Sequence, residues 1–128
     1  MNKFVYKYEA MSTPCELILY SHDKKTADLT AQAVLVETKR LEKKYNYYNN
    51  DSLIYAINTR QTQEIDSETK SILQRAKQYY KLTNRIFDIT IATIKPLYKN
   101  AKSVQELEKQ KEQLKPYIGC EHFNFKKR

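Results

Sequence analysis

Apolar positions set the first elements. Over residues 3–8, Phe4, Tyr6 and Tyr8 alternate with Val5 and Lys7, a two-residue period that predicts a strand. Met11-Ser12-Thr13-Pro14 breaks the pattern, and residues 15–20 read as a second, apolar strand. Together they predict an antiparallel hairpin with a long turn. The period then changes. Ala27, Ala31, Val34, Thr38, Leu41 and Tyr45 recur in steps of four and three residues, which places them on one face of a helix over 24–44. Lys39, Glu42 and Lys43 fall on its other side.

Residues 45–51 are polar, aromatic and rich in asparagine, so they read as a loop, and 52–58 as a short helix with Leu53, Ile54 and Ile57 inward. A short strand is expected at 63–65. Asp66 is placed to cap a helix running to about residue 82, with Glu68 favourable to the dipole in its first turn. The buried stripe of that helix is expected to be Ile72, Leu73, Ala76, Tyr79 and Tyr80. Residues 87–91, Phe-Asp-Ile-Thr-Ile, are strand formers in a short run, and Pro96 limits 92–99 to a brief helix. Ser103 and Glu106 form a capping box for a last helix over 104–114, which Lys115-Pro116 ends. Gly119 marks a turn, and 122–126 reads as a final strand. No internal repeat or linker is visible. The expected class is α+β, an antiparallel sheet with helices packed on one face, in a single domain or half-domain over 1–128.

Composition narrows the chemistry. At 128 residues, 41% hydrophobic and 30% charged, the chain has the make-up of one globular domain. Gly119 is the single glycine, which excludes a glycine-rich phosphate loop. The net charge is +8, but lysines alternate with glutamates along the helices, which favours solvated faces over one basic stripe. No apolar run approaches the ~20 residues that span a bilayer. The first residues lack the apolar core of a signal peptide, so a cytoplasmic chain is expected unless its N-terminus has been trimmed. Cys15 and Cys120 have no metal-pair spacing. Cys15, in an apolar strand, is expected to be a buried thiol, and nothing signals the oxidising compartment a disulfide requires. His22 and His122 are far apart, flanked by charge, and expected on the surface.

Two loops are chemically unusual. Tyr45-Asn46-Tyr47-Tyr48-Asn49-Asn50-Asp51 concentrates flat ring faces and hydroxyls. Two readings stand for it: a ligand surface, or tyrosines that plug a helix end into the core. In Phe87-Asp88-Ile89-Thr90, an aspartate sits between apolar neighbours. Either backbone donors hold it, or it points into a pocket, or it is a plain turn carboxylate.

Several segments, in order and with matching spacing, resemble the ApbE family. Glu9-Ala10-Met11-Ser12-Thr13-Pro14-Cys15 is similar to its opening Ala-Met-Gly-Thr motif. Arg40-Leu41-Glu42, Tyr48, Asp51, Ser52, Ile57 and Asn58 resemble its Arg-Leu-Glu stretch, tyrosine loop and Ser-x-Ile-x-x-x-Asn pattern. Asp66 through Tyr80 resembles the helix before the flavin loop. Asn84-Arg85-Ile86-Phe87-Asp88-Ile89-Thr90-Ile91 resembles Asn-Gly-Ala-Phe-Asp-Ile-Thr-Val, the most specific match, and the segment from Leu114 to Phe125 resembles the helix end and strand that follow.

The resemblance implies the N-terminal part of an ApbE, T-fold-like domain and the family's reaction. That reaction is FAD:protein FMN transfer, in which a Ser or Thr hydroxyl of a target flavoprotein takes FMN and AMP leaves. By resemblance, Met11 would contact the adenine end of FAD, Tyr48 would lie against the dinucleotide, and Ile86, Phe87 and Asp88 would line the same site. Thr90 and Asn58 look like supports. The resemblance places no metal ligand in this chain. The magnesium-binding aspartate and threonine, a further FAD-contacting aspartate and the candidate base belong to the family's second half, which this chain is expected to lack, so it carries part of the site and is expected to be inactive alone. Ser12 and Arg85 stand at usual glycines. The competing readings are a non-catalytic flavin- or protein-binding module of the same fold and, last, a basic nucleic-acid binder.

Overall fold

The computed structural model describes residues 1–125, and the chain divides into two compact units, Met1–Glu64 and a second from Ile65 onward. The first unit opens with β1 (Asn2–Ala10) and β2 (Thr13–Ser21), paired antiparallel with Phe4 opposite Leu19, Tyr6 opposite Leu17 and Tyr8 opposite Cys15. The expected long turn is instead a two-residue one. Ala10 pairs with Thr13 and Pro14 with Glu9, so the ladder runs on through the supposed break. Met11 and Ser12 make the turn with φ of 53° and 57°, the left-handed pair that matches the twist of a hairpin. Neither is a glycine or asparagine, so each carries the steric cost of that region.

Helix α1 (Lys24–Tyr45) packs on the inner face of the hairpin. Asp23 caps it by accepting from Thr26 N at 2.8 Å. Ala27 and Ala31 are buried, and Val34, Thr38, Leu41 and Tyr45 are half-buried, as the spacing predicts. Small residues at the closest approach let the helix lie near the strands. Tyr6 Oη donates to Asp28 Oδ1 at 2.8 Å and fixes the contact. Cys15 is half-buried rather than buried, because it sits beside the hairpin end; its thiol reaches Thr13 O at 3.4 Å.

The asparagine-rich loop is two successive side-chain turns. Asn46 Oδ1 accepts from Tyr48 N and Asn49 Oδ1 from Asp51 N, each at 3.0 Å. Buried Ser52 then caps α2 (Leu53–Asn58) through Tyr55 N at 3.0 Å. Leu53, Ile54 and Ile57 are half-buried. The strand expected at 63–65 is absent among the described residues; that stretch is irregular chain leading into the next cap.

In the second unit, Asp66 caps α3 (Ser67–Leu82) by accepting from Thr69 N at 2.8 Å. The inward stripe is Thr69, Ala76 and Tyr80, all buried, with Leu73 half-buried between them, whereas Ile72 and Tyr79 are exposed. The latter two lie one position off a clean four-three-four spacing, about 100° round the helix. Residues 87–91 form no strand: Asp88 caps a 3₁₀ turn (Ile89–Thr93). Pro96 follows at the start of α4 (Lys95–Asn100). Ser103 caps α5 (Val104–Leu114) through Glu106 N at 3.1 Å, while the Glu106 carboxylate accepts from Lys102 N at 2.9 Å. Lys115-Pro116 turns into a short 3₁₀ element (Lys115–Tyr117). The final strand expected over 122–126 is replaced by a 3₁₀ turn (Cys120–His122) and irregular chain, with Lys126 outside the described residues. Lys77 Nζ donates to Phe123 O at 2.8 Å and ties that stretch to α3. His22 and His122 are both exposed.

Candidate functional site

The first unit brings Met11 and Tyr48 to the same end of α1. Met11 is 58% exposed at the hairpin tip, and its backbone N–H donates to Glu42 Oε1 at 2.8 Å. Glu42 lies in the last turn of α1, four residues before the cap Asn46. The sequence pattern put Glu42 on the solvent side; it is half-buried because it reaches across to the turn. This hydrogen bond spans 31 residues, and no local spacing announces it.

Tyr48 leaves the same helix end. It is 69% exposed, so it does not plug the helix into the core. Its ring lies 4.0 Å from that of half-buried Tyr47 at an interplanar angle of 33°, and the two hydroxyls are 2.5 Å apart. The pair presents an aromatic surface at the end of α1 to which the Met11 turn is also tied, and a ring face and a thioether are both soft groups suited to a planar ring.

The second unit holds Ile86, Phe87 and Asp88 on the loop after α3. That helix ends in a Schellman motif: Asn84 N donates to Lys81 O at 3.2 Å and Arg85 N to Tyr80 O at 2.8 Å. Asn84 and Arg85 take φ of 49° and 70°. Asparagine tolerates that region; arginine there is strained. Arg85 reaches no nearer than 4.0 Å to Glu121, and its side chain is largely in solvent. Thr83 Oγ1 accepts from Phe87 N at 3.0 Å and starts the loop. Ile86 is 87% exposed and Phe87 43%, with the Phe87 ring edge-on to Tyr79 at 5.9 Å.

Asp88 is half-buried and held by local donors. Thr90 N and Thr90 Oγ1 donate to its Oδ1 at 2.9 and 2.6 Å. Thr90 Oγ1 accepts from Gly119 N at 2.8 Å, and Cys120 Sγ lies 3.6 Å from Asp88 Oδ1. Thr90 therefore supports the loop, whereas Asn58 sits exposed at the end of α2. Cys120 is fully buried at 0% exposure, and that burial pushes its thiol up. Nearby, the hydrogen bond from Tyr80 to the Glu121 carboxylate, with burial second, pushes the phenol up to about 12; the same bond holds the Glu121 carboxyl below its ordinary range. Nothing in the local pattern placed Gly119 and Cys120 beside Asp88.

Among the described residues, no three His, Cys, Asp or Glu side chains gather into a group that could hold a metal ion. Lysines pair with neighbouring acids along the helices, as in Lys24–Asp28 at 2.7 Å and Lys111–Glu108 at 3.1 Å. Among the described residues, no helix is long and apolar enough to cross a membrane.

The family model described as the ApbE family matches residues 11–128. Among solved structures, the crystal structure of the ApbE protein from Thermotoga maritima aligns over 98% of this chain with a TM-score of 0.79 at 21% identity. The chain spans 42% of that protein's length. No curated protein matches the chain.

Proposed function

The chain belongs to the ApbE family, and from that premise we propose that it contributes one part of an FAD:protein FMN transferase site. The observation that carries this reading is the placement of Met11 and Tyr48, both open to solvent, at one end of α1, with the Tyr48 ring set against half-buried Tyr47. In the proposed reaction, a Ser or Thr hydroxyl of a target flavoprotein gives its proton to a base supplied by the rest of the fold, and its oxygen bonds to the FMN phosphorus. The bond from that phosphorus to the bridging oxygen breaks, and AMP leaves with the electron pair. Magnesium, when bound, offsets negative charge on the pyrophosphate. This chain's residues have a narrower task. Tyr48 offers a ring face to the dinucleotide, Met11 packs its thioether against the adenine, and Asp88 accepts a hydrogen bond. The loop of Ile86 and Phe87 supplies apolar cover. The metal ligands come from polypeptide equivalent to the rest of the fold, in the same chain or a separate one.

The test incubates this chain with FAD, magnesium and an acceptor flavoprotein, then reads covalent flavin by in-gel fluorescence and FAD binding by fluorescence quenching. The chain alone is expected to bind FAD with little magnesium dependence and to leave no covalent flavin. Tyr48→Ala and Met11→Ala are expected to weaken binding by about tenfold each, the loss of roughly one stacking or packing contact. Robust labelling by this chain alone would show that the catalytic groups lie within it. Binding unaffected by either substitution would remove the flavin site. A chain that binds FAD yet supports no transfer when the remaining part of the fold is supplied would be a flavin-binding module.

A further inference from the structure

The Asp88 carboxylate is held by one of its two oxygens. Oδ1 receives the Thr90 N–H at 2.9 Å, the Thr90 hydroxyl at 2.6 Å and the Cys120 thiol at 3.6 Å. The thiol distance is ordinary for sulfur. Thr90 Oγ1 also accepts from Gly119 N at 2.8 Å. With a backbone N–H on its lone pair, the hydroxyl directs its own proton to Asp88. Cys120 has no solvent to turn to, since it is fully buried. Gly119 makes the approach feasible. Its φ is 123°, and a Cβ there would lie 2.4 Å from a Glu121 carboxylate oxygen.

Among the described residues, no hydrogen bond lands on Oδ2. An ionised carboxylate has about four lone-pair directions. Donors crowd one oxygen and leave the acceptor capacity of the other intact, on a residue that is only half-buried.

We propose that Thr90 and Cys120 are positioning residues that lock the Asp88 rotamer and reserve Oδ2 for an N–H or O–H donor of the bound dinucleotide. The ligand half of this statement rests on the flavin reading above; the lock does not. Cys120 and Gly119 come from a turn 32 and 29 residues away from their partners, so the C-terminal turn acts as a brace on the loop.

The experiment uses this chain with FAD as the probe. Thr90→Ala is expected to weaken FAD binding by about tenfold, since it loosens a charge-bearing acceptor. Thr90→Ser keeps the hydroxyl and is expected to stay within about twofold of the parent. In an Asp88→Asn background, Thr90→Ala is expected to add no further loss, because its effect passes through that carboxylate. Three-bond couplings about Asp88 χ1 provide a readout without ligand. They should report one rotamer in the parent and in Thr90→Ser, and averaging in Thr90→Ala and Cys120→Ala. If Thr90→Ala loses spectral dispersion, Cys120→Ala carries the same test. Additive losses in the Asp88→Asn background, or an unaveraged Asp88 in a folded Thr90→Ala or Cys120→Ala chain, overturn the proposal. If the parent shows the locked rotamer but binds no FAD, the flavin reading falls and the lock is upheld.

Discussion

The hairpin tip of the first unit and the loop after α3 in the second solve one problem in opposite ways. Each contains two successive left-handed residues without a glycine, Met11-Ser12 and Asn84-Arg85. At the tip, a carboxylate holds the backbone: Glu42 accepts the Met11 N–H. In the loop, the backbone and its neighbours hold a carboxylate: Thr90 and Cys120 donate to Asp88. The strained turn is held by an external acceptor, whereas the loop, closed at its start by the Schellman motif and braced by Gly119 and Cys120, places its donors on a side chain. An acidic residue in this protein either holds a strained backbone from a neighbouring helix, as Glu42 does, or is itself held within a loop, as Asp88 is.

The strongest challenge to that contrast is Gly119→Val. It places a side chain at φ 123° against Glu121 and pushes Gly119 N away from Thr90. We expect a loss of about 1–3 kcal/mol, measured by urea denaturation, with the loop amides from Phe87 to Thr90 losing exchange protection. If those amides keep their protection, the brace does not shape the loop.

Glu42→Ala should cost less, about 1 kcal/mol, because the lost hydrogen bond is exposed. Its diagnostic sign is local: Met11 and Ser12 amide shifts move, and those of residues 84–90 stay. Equal movement in both regions would break the comparison.

Glycine substitutions sharpen it. Arg85→Gly and Ser12→Gly each relieve a left-handed residue and are expected to stabilise the chain by roughly 1 kcal/mol in thermal or urea unfolding. Arg85→Gly should show the larger gain, since serine is the smaller residue at its turn. Destabilisation by both would mean that neither backbone conformation is strained.

The smallest effect is read from pH. The Tyr80 phenol is pushed from its ordinary value of 10.0 up to about 12, so the folded state holds that proton more tightly than the unfolded chain does. Its contribution is fully present below pH 10 and is lost as pH rises towards 12. Glu121 is lowered, so its contribution is present above the ordinary carboxyl value of 4.5 and is lost as pH falls through the lowered one. Tyr80→Phe should flatten the alkaline limb of stability against pH, and Glu121→Gln the acid limb. Unchanged limbs would show that the pair is not coupled to folding.

Local periodicity determined much of this protein. It gave the strand alternation of Phe4, Tyr6 and Tyr8, the inward face of α1 from Ala27 to Tyr45, and the caps at Asp66 and Ser103, because each depends on residues a few positions apart. The motif order also carried the family, from Met11 to the Phe87–Asp88 loop, and the α+β class with it. The two-residue turn was missed because Met11 and Ser12 are not turn-forming types; the ladder imposes their conformation. The strand formers of 87–91 became a 3₁₀ turn because no partner strand pairs them among the described residues and Asp88 offers a cap instead. Spacing assigns Ile72 and Tyr79 to the inward stripe, but they are exposed, off the stripe set by Thr69 and Ala76. Tertiary structure alone decided the Glu42–Met11 bond and the junction of Asp88, Thr90, Gly119 and Cys120. Those partners lie about 30 residues apart, and a hydrogen bond needs ångström-scale approach that only the packed chain provides.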